Sequence, residues 1–387
     1  MKMKFELIDN SGNAVIKVIG IGGGGGNAVN HMVTIGVDGV QFICANTDAQ
    51  ALRQMNVDTV VQLGVELTKG LGAGTRPDVG KAAAEETCDR IREVLDGADM
   101  VFLTAGMGGG TGTGAIAVFA EIAKEMKVLT VAVVSKPFDF EGSKKKAVAD
   151  NGLRELEKLV DSLIIIPNQK LLPTLGNNRS LVDSFRVAND VLLDAVQGIT
   201  ELITHPGVMN VDFADVKTVM TNMGSAIMGT GVATGENRAR LAAEKAIACP
   251  LLEDINLQGA RGILVNVTSN GDLGLNEFDE IGGIMHKFAS EDADIKIGMA
   301  VNPAMGDEIK VTVVATGMGE KVKSNSPVRL VQKVAAGDAD YNQLERPTVL
   351  RHQKPESQRE SRFGAQPKGD TDLDYLDVPA FLRRQAD

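Results

Sequence analysis

The chain has 387 residues, 43% of them hydrophobic, and a formal net charge of −11, enough apolar sequence for two cores when single domains cluster near about 100 to 200 residues. The acidic balance excludes a nucleic-acid scaffold, because neutralising phosphates needs a basic surface that the globular part does not offer. Cys44, Cys88 and Cys249 lie far apart in apolar settings and read as buried reduced thiols rather than disulfides or a metal site. With no leader-like start and no apolar run near the ~18 residues of a membrane span, the expectation is a soluble, cytoplasmic protein without direct membrane insertion.

Residues 1–13 read as a flexible extension. From residue 14, short β-branched runs alternate with helical patterns, as parallel βαβ units do. Strands are predicted over 14–19, 39–45, 58–63, 99–105, 128–135 and 162–166. Several are apolar almost throughout, as strands covered on both faces are. The expectation is an α/β domain over 14–180 with an open, mostly parallel, Rossmann-like sheet. Ser180 is placed to cap a long amphipathic helix over 181–203, which ends at Pro206-Gly207, and residues 181–205 then form a central spine. A helix from Asp212, strands at 262–268, 295–300 and 310–315, and helices at 236–248 and 277–288 make a second, smaller α/β domain over 206–320.

Beyond it the character changes. Residues 321–370 carry four prolines and ten Lys and Arg against six Asp and Glu, net +4, while residues 1–320 are net −13. Such a polar stretch lacks the apolar periodicity of a core, so 321–371 is expected to be a disordered linker. Apolar and aromatic residues return over 372–387, where Tyr375, Leu376, Phe381 and Leu382 read as a docking peptide.

Two glycine loops carry the chemistry. The first, Gly20-Ile21-Gly22-Gly23-Gly24-Gly25-Gly26-Asn27, follows a strand and opens a helix, the setting in which backbone N–H groups and a helix N-terminus bind phosphate. A tight turn is the bland alternative, but five consecutive glycines carry too large an entropy penalty for a turn alone. Gly20, Gly22 and Gly25 also satisfy the dinucleotide pattern, with Asp48 near the end of the second strand, which leaves a nicotinamide-dependent oxidoreductase as an alternative. The second loop, Gly106-Met107-Gly108-Gly109-Gly110-Thr111-Gly112-Thr113-Gly114, argues against it, since a dehydrogenase needs one pyrophosphate loop and two loops suit three phosphates. Neither loop has a lysine, so aimed N–H dipoles, the Thr111 and Thr113 hydroxyls and a magnesium ion held mainly by phosphate are expected to meet the charge.

The Gly-Gly-Gly-Thr-Gly-Thr-Gly run is the tubulin-type signature. With it the chain resembles the FtsZ family, the tubulin-like GTPases of bacterial division, from residue 14 to 320 and again over 372–387. The resemblance implies GTP and GDP as ligands, with Gly23, Gly24, Gly25, Gly26 and Asn27, then Gly108, Gly109, Gly110, Thr111, Gly112 and Thr113, contacting the nucleotide. On neighbouring loops Asn46, Asp48, Ala73, Gly74 and Thr75 join them. It assigns Glu141 and Lys145 to the ribose side, and Phe185 and Asn189 to stacking on and reading the base. Two departures stand out: Lys145 stands where arginine is usual and lacks its bidentate fork, and Thr75-Arg76 replaces the commoner alanine and asparagine.

Asn210-Val211-Asp212-Phe213-Ala214-Asp215 precedes a helix, and Asp212 and Asp215 share one face of its first turn. On residues alone they read first as helix caps. The resemblance instead implies that Asn210, Asp212 and Asp215 enter the nucleotide pocket of the next subunit and position the attacking water. It also implies head-to-tail filaments, a ring at the division site on the inner face of the membrane, and adaptor and regulator proteins bound through the terminal peptide. A relative serving plasmid partition or cell shape is the remaining alternative. His31, His205 and His286 are expected at the surface or core edge, and the 15 methionines as core filler.

Overall fold

The computed structural model describes residues 14–175, 180–204, 209, 211–221, 223–252, 260–290 and 293–317. The expectations for 1–13, for the linker and for the terminal peptide lie outside the described residues, as do Asn210 and His205.

Strands β1 (Ile16–Ile21), β2 (Val40–Asn46), β3 (Thr59–Gln62), β4 (Met100–Gly106), β5 (Leu129–Lys136) and β6 (Ser162–Pro167) run parallel in the order β3-β2-β1-β4-β5-β6. Each predicted strand is present within two residues of its expected ends. Connecting them are helices α1 (Gly22–Ile35), α2 (Ala49–Arg53), α3 (Val65–Thr68), α4 (Pro77–Glu86), α5 (Cys88–Leu95), α6 (Gly110–Glu125), α7 (Ser143–Leu156) and α8 (Asn168–Leu175). Along β4 the pleat sends Met100 and Phe102 to one core and Val101, Leu103 and Ala105 to another, beneath α4 to α7. Both faces are covered, which is why the strand reads as unbroken apolar sequence.

The long helix is α9 (Leu181–Thr204). The Ser180 hydroxyl accepts from the Asp183 N–H at 3.1 Å and donates to its carboxylate at 2.7 Å, closing the start as a capping box does. Ala188, Leu192, Ala195, Val196, Ile199 and Leu202, recurring at helical spacing, form its buried stripe. That stripe shares one core with Val18, Phe102 and Val131 of the first strands and with Leu264 and Val314 further along the chain. The same helix thus backs both ends of the sheet.

Past α9 come α10 (Phe213–Met220), β7 (Gly224–Ala233), α11 (Arg238–Ile247), β8 (Gly262–Ser269), α12 (Leu275–Phe288), β9 (Asp294–Val301) and β10 (Ile309–Thr316). Here antiparallel pairing enters a sheet that is otherwise parallel, as expected for its first half. β10 pairs antiparallel with both β7 and β8, while β9 adds in parallel at the edge. β7 is a strand the sequence reading does not contain, and it joins β6 in parallel through Ser162↔Gly224, Leu163↔Ser225 and Ile164↔Ala226, so one ten-stranded sheet crosses the whole body. Its glycines hid it. A Cβ on Gly229 or Gly231 would sit 2.1 Å from the Ala246 or Ala242 carbonyl oxygen, so glycine is what lets α11 lie on the strand.

Candidate functional site

Strand order reverses at β1, whose neighbours are β2 and β4. In open α/β sheets ligands bind beyond the carboxyl ends of the strands at such a switch point. Both glycine loops lie there, one after β1 and one after β4, which pair in register from Ile16↔Met100 to Ile21↔Ala105. Each loop runs straight into a helix, α1 starting at Gly22 and α6 at Gly110. The first four N–H groups of a helix lack intrahelical partners, and the macrodipole adds roughly half a positive charge to each N-terminus. Two such ends meet at one cavity of about 380 Å³.

Gly23, Gly24 and Asn27 line it from α1, Gly109, Gly110, Thr111 and Gly112 from the second loop and α6, and Gly74 from the loop before α4. The loops hold one another: the Gly110 N–H donates to the Gly74 carbonyl at 3.0 Å, and the Gly108 N–H donates to the Thr113 hydroxyl at 2.8 Å. The Thr111 and Thr47 hydroxyls bond each other at 2.6 Å. Thr113 and Gly108 therefore brace the second loop behind the cavity wall. Gly108 itself adopts φ +96°, open to glycine without strain.

The far wall is built by side chains. Glu141 accepts from the Phe138 N–H at 2.8 Å and from the Lys145 ammonium at 2.5 Å, so the carboxylate is held by both its oxygens at the cavity edge. Lys145 is the cation among the described lining residues. Phe185 and Asn189, one helical turn apart on α9, line the remaining side. The Phe185 ring is 41% exposed and rests edge-on against Phe138, with centroids 5.4 Å apart. The ring is thereby held beside Phe138 yet partly exposed at the cavity, where it is available for stacking.

Other expected residues fall elsewhere. Gly25 is buried, and a Cβ there would meet the Thr104 carbonyl oxygen at 2.2 Å, so it seats α1 on β4. Gly26 and Asn46 border a smaller cavity behind α1. Asp48 caps α2, accepting from the Gln50 and Ala51 N–H groups. Ala73 is buried and Thr75 exposed, both beside Gly74. The structure also brings in Gly106 and Met107, which open the second loop, and Ser135, Pro137, Asn168 and Ala188, which were not among the expected site residues. Asn168 is the most telling: it is buried, its Oδ1 has no hydrogen-bond partner, and it borders the cavity. Buried polar atoms are nearly always satisfied, and this one is left without a protein partner where it borders the cavity. In the sequence Asn168 is a lone asparagine following a strand, which by itself carries no signal.

Asp212 occupies the N-cap position of α10, yet its side chain makes no capping hydrogen bond. Asp212 is exposed, and Asp215 is half-buried in the first turn. The helix-capping reading therefore fails for Asp212. Among the described residues none from α10 or the segment before it lines the cavity.

These features define a tubulin-like nucleotide-binding α/β protein, with two glycine loops at a switch point and a long helix between the halves of its sheet. Comparison with known proteins narrows that class. The Tubulin/FtsZ family GTPase domain matches residues 15–176, and the FtsZ family C-terminal domain matches 224–319. The chain is 58% identical to the cell division protein FtsZ of Coxiella burnetii over 384 residues, 98% of this chain and 99% of that protein. With FtsZ of Pseudomonas aeruginosa it shares 57% over 398 residues, 99% of this chain and 100% of that protein. A solved FtsZ structure from M. jannaschii, an empty dimer, superposes with a TM-score of 0.77 at 41% identity, covering 80% of this chain and 89% of that one. The chain belongs to the FtsZ family.

Proposed function

We propose that this chain is a polymerising GTPase of cell division, which binds GTP in the cavity between its glycine loops, assembles head to tail, and hydrolyses GTP at the junctions between subunits. Within the cavity, the N–H groups around Gly23, Gly24 and Asn27 and around Gly109 to Gly112 receive the phosphates, Glu141 accepts from the ribose hydroxyls, Phe185 stacks on the base, and Asn189 and Asn168 bond its edge. Mg²⁺, held mainly through the phosphates, neutralises their charge; among the described residues no group of three or more His, Cys, Asp or Glu stands ready to hold a metal.

The observation that carries the assembly reading is a separation. Glu141 is the carboxylate among the residues lining the cavity, and both its oxygens are engaged. The uncapped Asp212 and Asp215 stand on an element that does not reach the cavity. A second copy stacked head to tail brings its Asn210, Asp212 and Asp215 to the γ-phosphate, where the carboxylates orient a water. Such a heterologous contact does not close on itself, so it propagates as a filament and couples hydrolysis to assembly. The ring forms at the division site on the inner face of the membrane, tethered by adaptor proteins that bind 372–387.

Sedimentation in parallel with GTP, GDP and ATP tests the reading. Pelleting with GTP above a threshold concentration, accompanied by a steep rise in turnover per subunit, is the expected result. Full-rate hydrolysis by dilute, unassembled protein would overturn it.

A further inference from the structure

The segment that presents Asp212 and Asp215 is docked on the edge strand β9. The Met299 N–H donates to the Met209 carbonyl at 3.0 Å. Gly298 makes room for the contact, since a Cβ there would lie 2.5 Å from Leu202 Cδ2 and 2.8 Å from Val211 Cγ2. Two residues earlier on the same face of β9 stands Lys296. Its ammonium lies 3.1 Å from the Asp215 carboxylate and 3.4 Å from that of Asp294, with Lys296 30% and Asp215 43% exposed. Bonding to Asp215 is the largest cause, and the charges of Asp294 and Asp215 further causes, that hold this ammonium's pKa above the usual lysine range.

We propose that Lys296 is a positioning residue for GTP hydrolysis, holding Asp215 in its working orientation and supplying the positive charge that lets an acidic helix start approach a neighbour's triphosphate. The inference rests on the shared-site reading above. Without Lys296, three carboxylates, Asp212, Asp215 and Asp294, would face an anionic nucleotide across the junction with no ammonium among them. Repulsion of that kind weakens the junction and frees the Asp215 side chain to turn away. Lys296 touches neither substrate nor water and acts through Asp215. An exposed pair of this kind is weak and screened by salt, so the effect is a few-fold one.

The test uses the full chain and its Lys296→Met and Lys296→Arg variants. Nucleotide affinity of dilute subunits should be equal in all three, because the cavity is elsewhere. In about 50 mM salt, Lys296→Met should raise the threshold concentration for GTP-dependent pelleting and lower turnover per pelleted subunit about two- to fivefold, with KM unchanged and Lys296→Arg close to wild type. The gap should close near 0.5 M salt, where the Debye length is on the order of 4 Å. In an Asp215→Asn background the Lys296→Met change should still raise the pelleting threshold, through Asp212 and Asp294, but should cause no further loss of turnover per pelleted subunit. Wild-type-like turnover of Lys296→Met at low salt would overturn the proposal, and so would a loss of turnover that Arg does not repair or that persists beside Asp215→Asn. Should wild-type protein itself fail to pellet with GTP, the shared-site reading and this inference fall together; wild-type assembly with an indifferent Lys296 removes this inference alone.

Discussion

The two ends of the sheet build their functional surfaces from different materials. Beyond β1 and β4 much of the cavity wall is glycine main chain, and at several of its positions neighbouring backbone leaves no room for a side chain. A Cβ on Gly110 would lie 2.5 Å from the Gly74 oxygen, and one on Gly108 would lie 2.7 Å from the Lys145 oxygen. At the β8–β9 end the surface consists of the side chains Asp212, Asp215 and Lys296, standing on a scaffold that does not depend on them for packing. A site made of backbone is aimed by the fold and fails when the fold shifts by fractions of an ångström, whereas a site made of side chains can be emptied while the fold stays intact.

Substitutions at the two ends should therefore differ in kind. The largest effect is expected from Gly110→Ser or Gly108→Ser. Each drives a Cβ into backbone, and at Gly108 also imposes φ +96° on an L-residue. The first parts Gly74 from the second loop, and the second displaces the turn carrying Lys145. A misplacement of about 1 Å is worth on the order of 100-fold, so GTP affinity, measured by titration with a fluorescent GTP analogue, should fall by about that factor while circular dichroism stays native. Wild-type affinity in a folded variant would remove the backbone-cradle account. Next in size is Asp215→Ala, expected to leave affinity alone and lower turnover in pelleted protein by about 10² to 10⁴-fold. Mixed with Gly110→Ser it should regain part of that activity, since some junctions then pair an intact cavity with intact carboxylates. Co-pelleting mixtures with no recovery would count against a shared site.

The same contrast decides what was legible in the sequence. The β1–β6 half announces itself because strands covered on both faces are unbroken apolar runs, and clustered glycine between strand and helix has few other uses. β7 did not, since Gly229 and Gly231 are required by α11 packing on the strand, and that requirement exists only in three dimensions. Asn168 was missed for the same reason: a lone asparagine says nothing until burial leaves its oxygen without a partner. Cys88 and Cys249, expected to be buried like Cys44, are half-buried, because an apolar neighbourhood in sequence does not fix which face of an element a residue takes. Lys296 could not be connected to Asp215 either, since the two meet only through β9, 81 positions further along the chain.

The smallest effect concerns the joint between the halves, where α9 itself changes material. Its apolar stripe packs on the first strands and also on Leu264 and Val314, but beside that stripe, toward β8 and β10, it presents Asp194, paired with Lys310, and Glu201, which accepts from Asn266 Nδ2 at 3.1 Å and the Thr268 hydroxyl at 3.0 Å. Burial pushes the Asp194 carboxyl above the usual carboxylate range. The attraction of Lys310 opposes that, and the nearby charges of Asp190 and Glu201 add to it. A carboxyl whose folded pKa is raised favours the folded state when protonated, so it weakens stability as pH rises from its unfolded value through its folded one. Lys310→Met removes the opposing charge and raises that pKa further. Leaving a half-buried carboxylate unpaired should cost about 1–3 kcal/mol at pH 7, read by urea denaturation, and the deficit relative to wild type should shrink on acidification, as Asp194 takes up its proton. Replacing both partners, Asp194→Leu with Lys310→Met, should recover most of the loss, since an apolar pair of similar volume carries no desolvation penalty. A deficit that stayed constant or grew on acidification would mean that Lys310 stabilises the joint by packing its methylenes, and the distinction between an apolar and an ionic side of α9 would have to be given up.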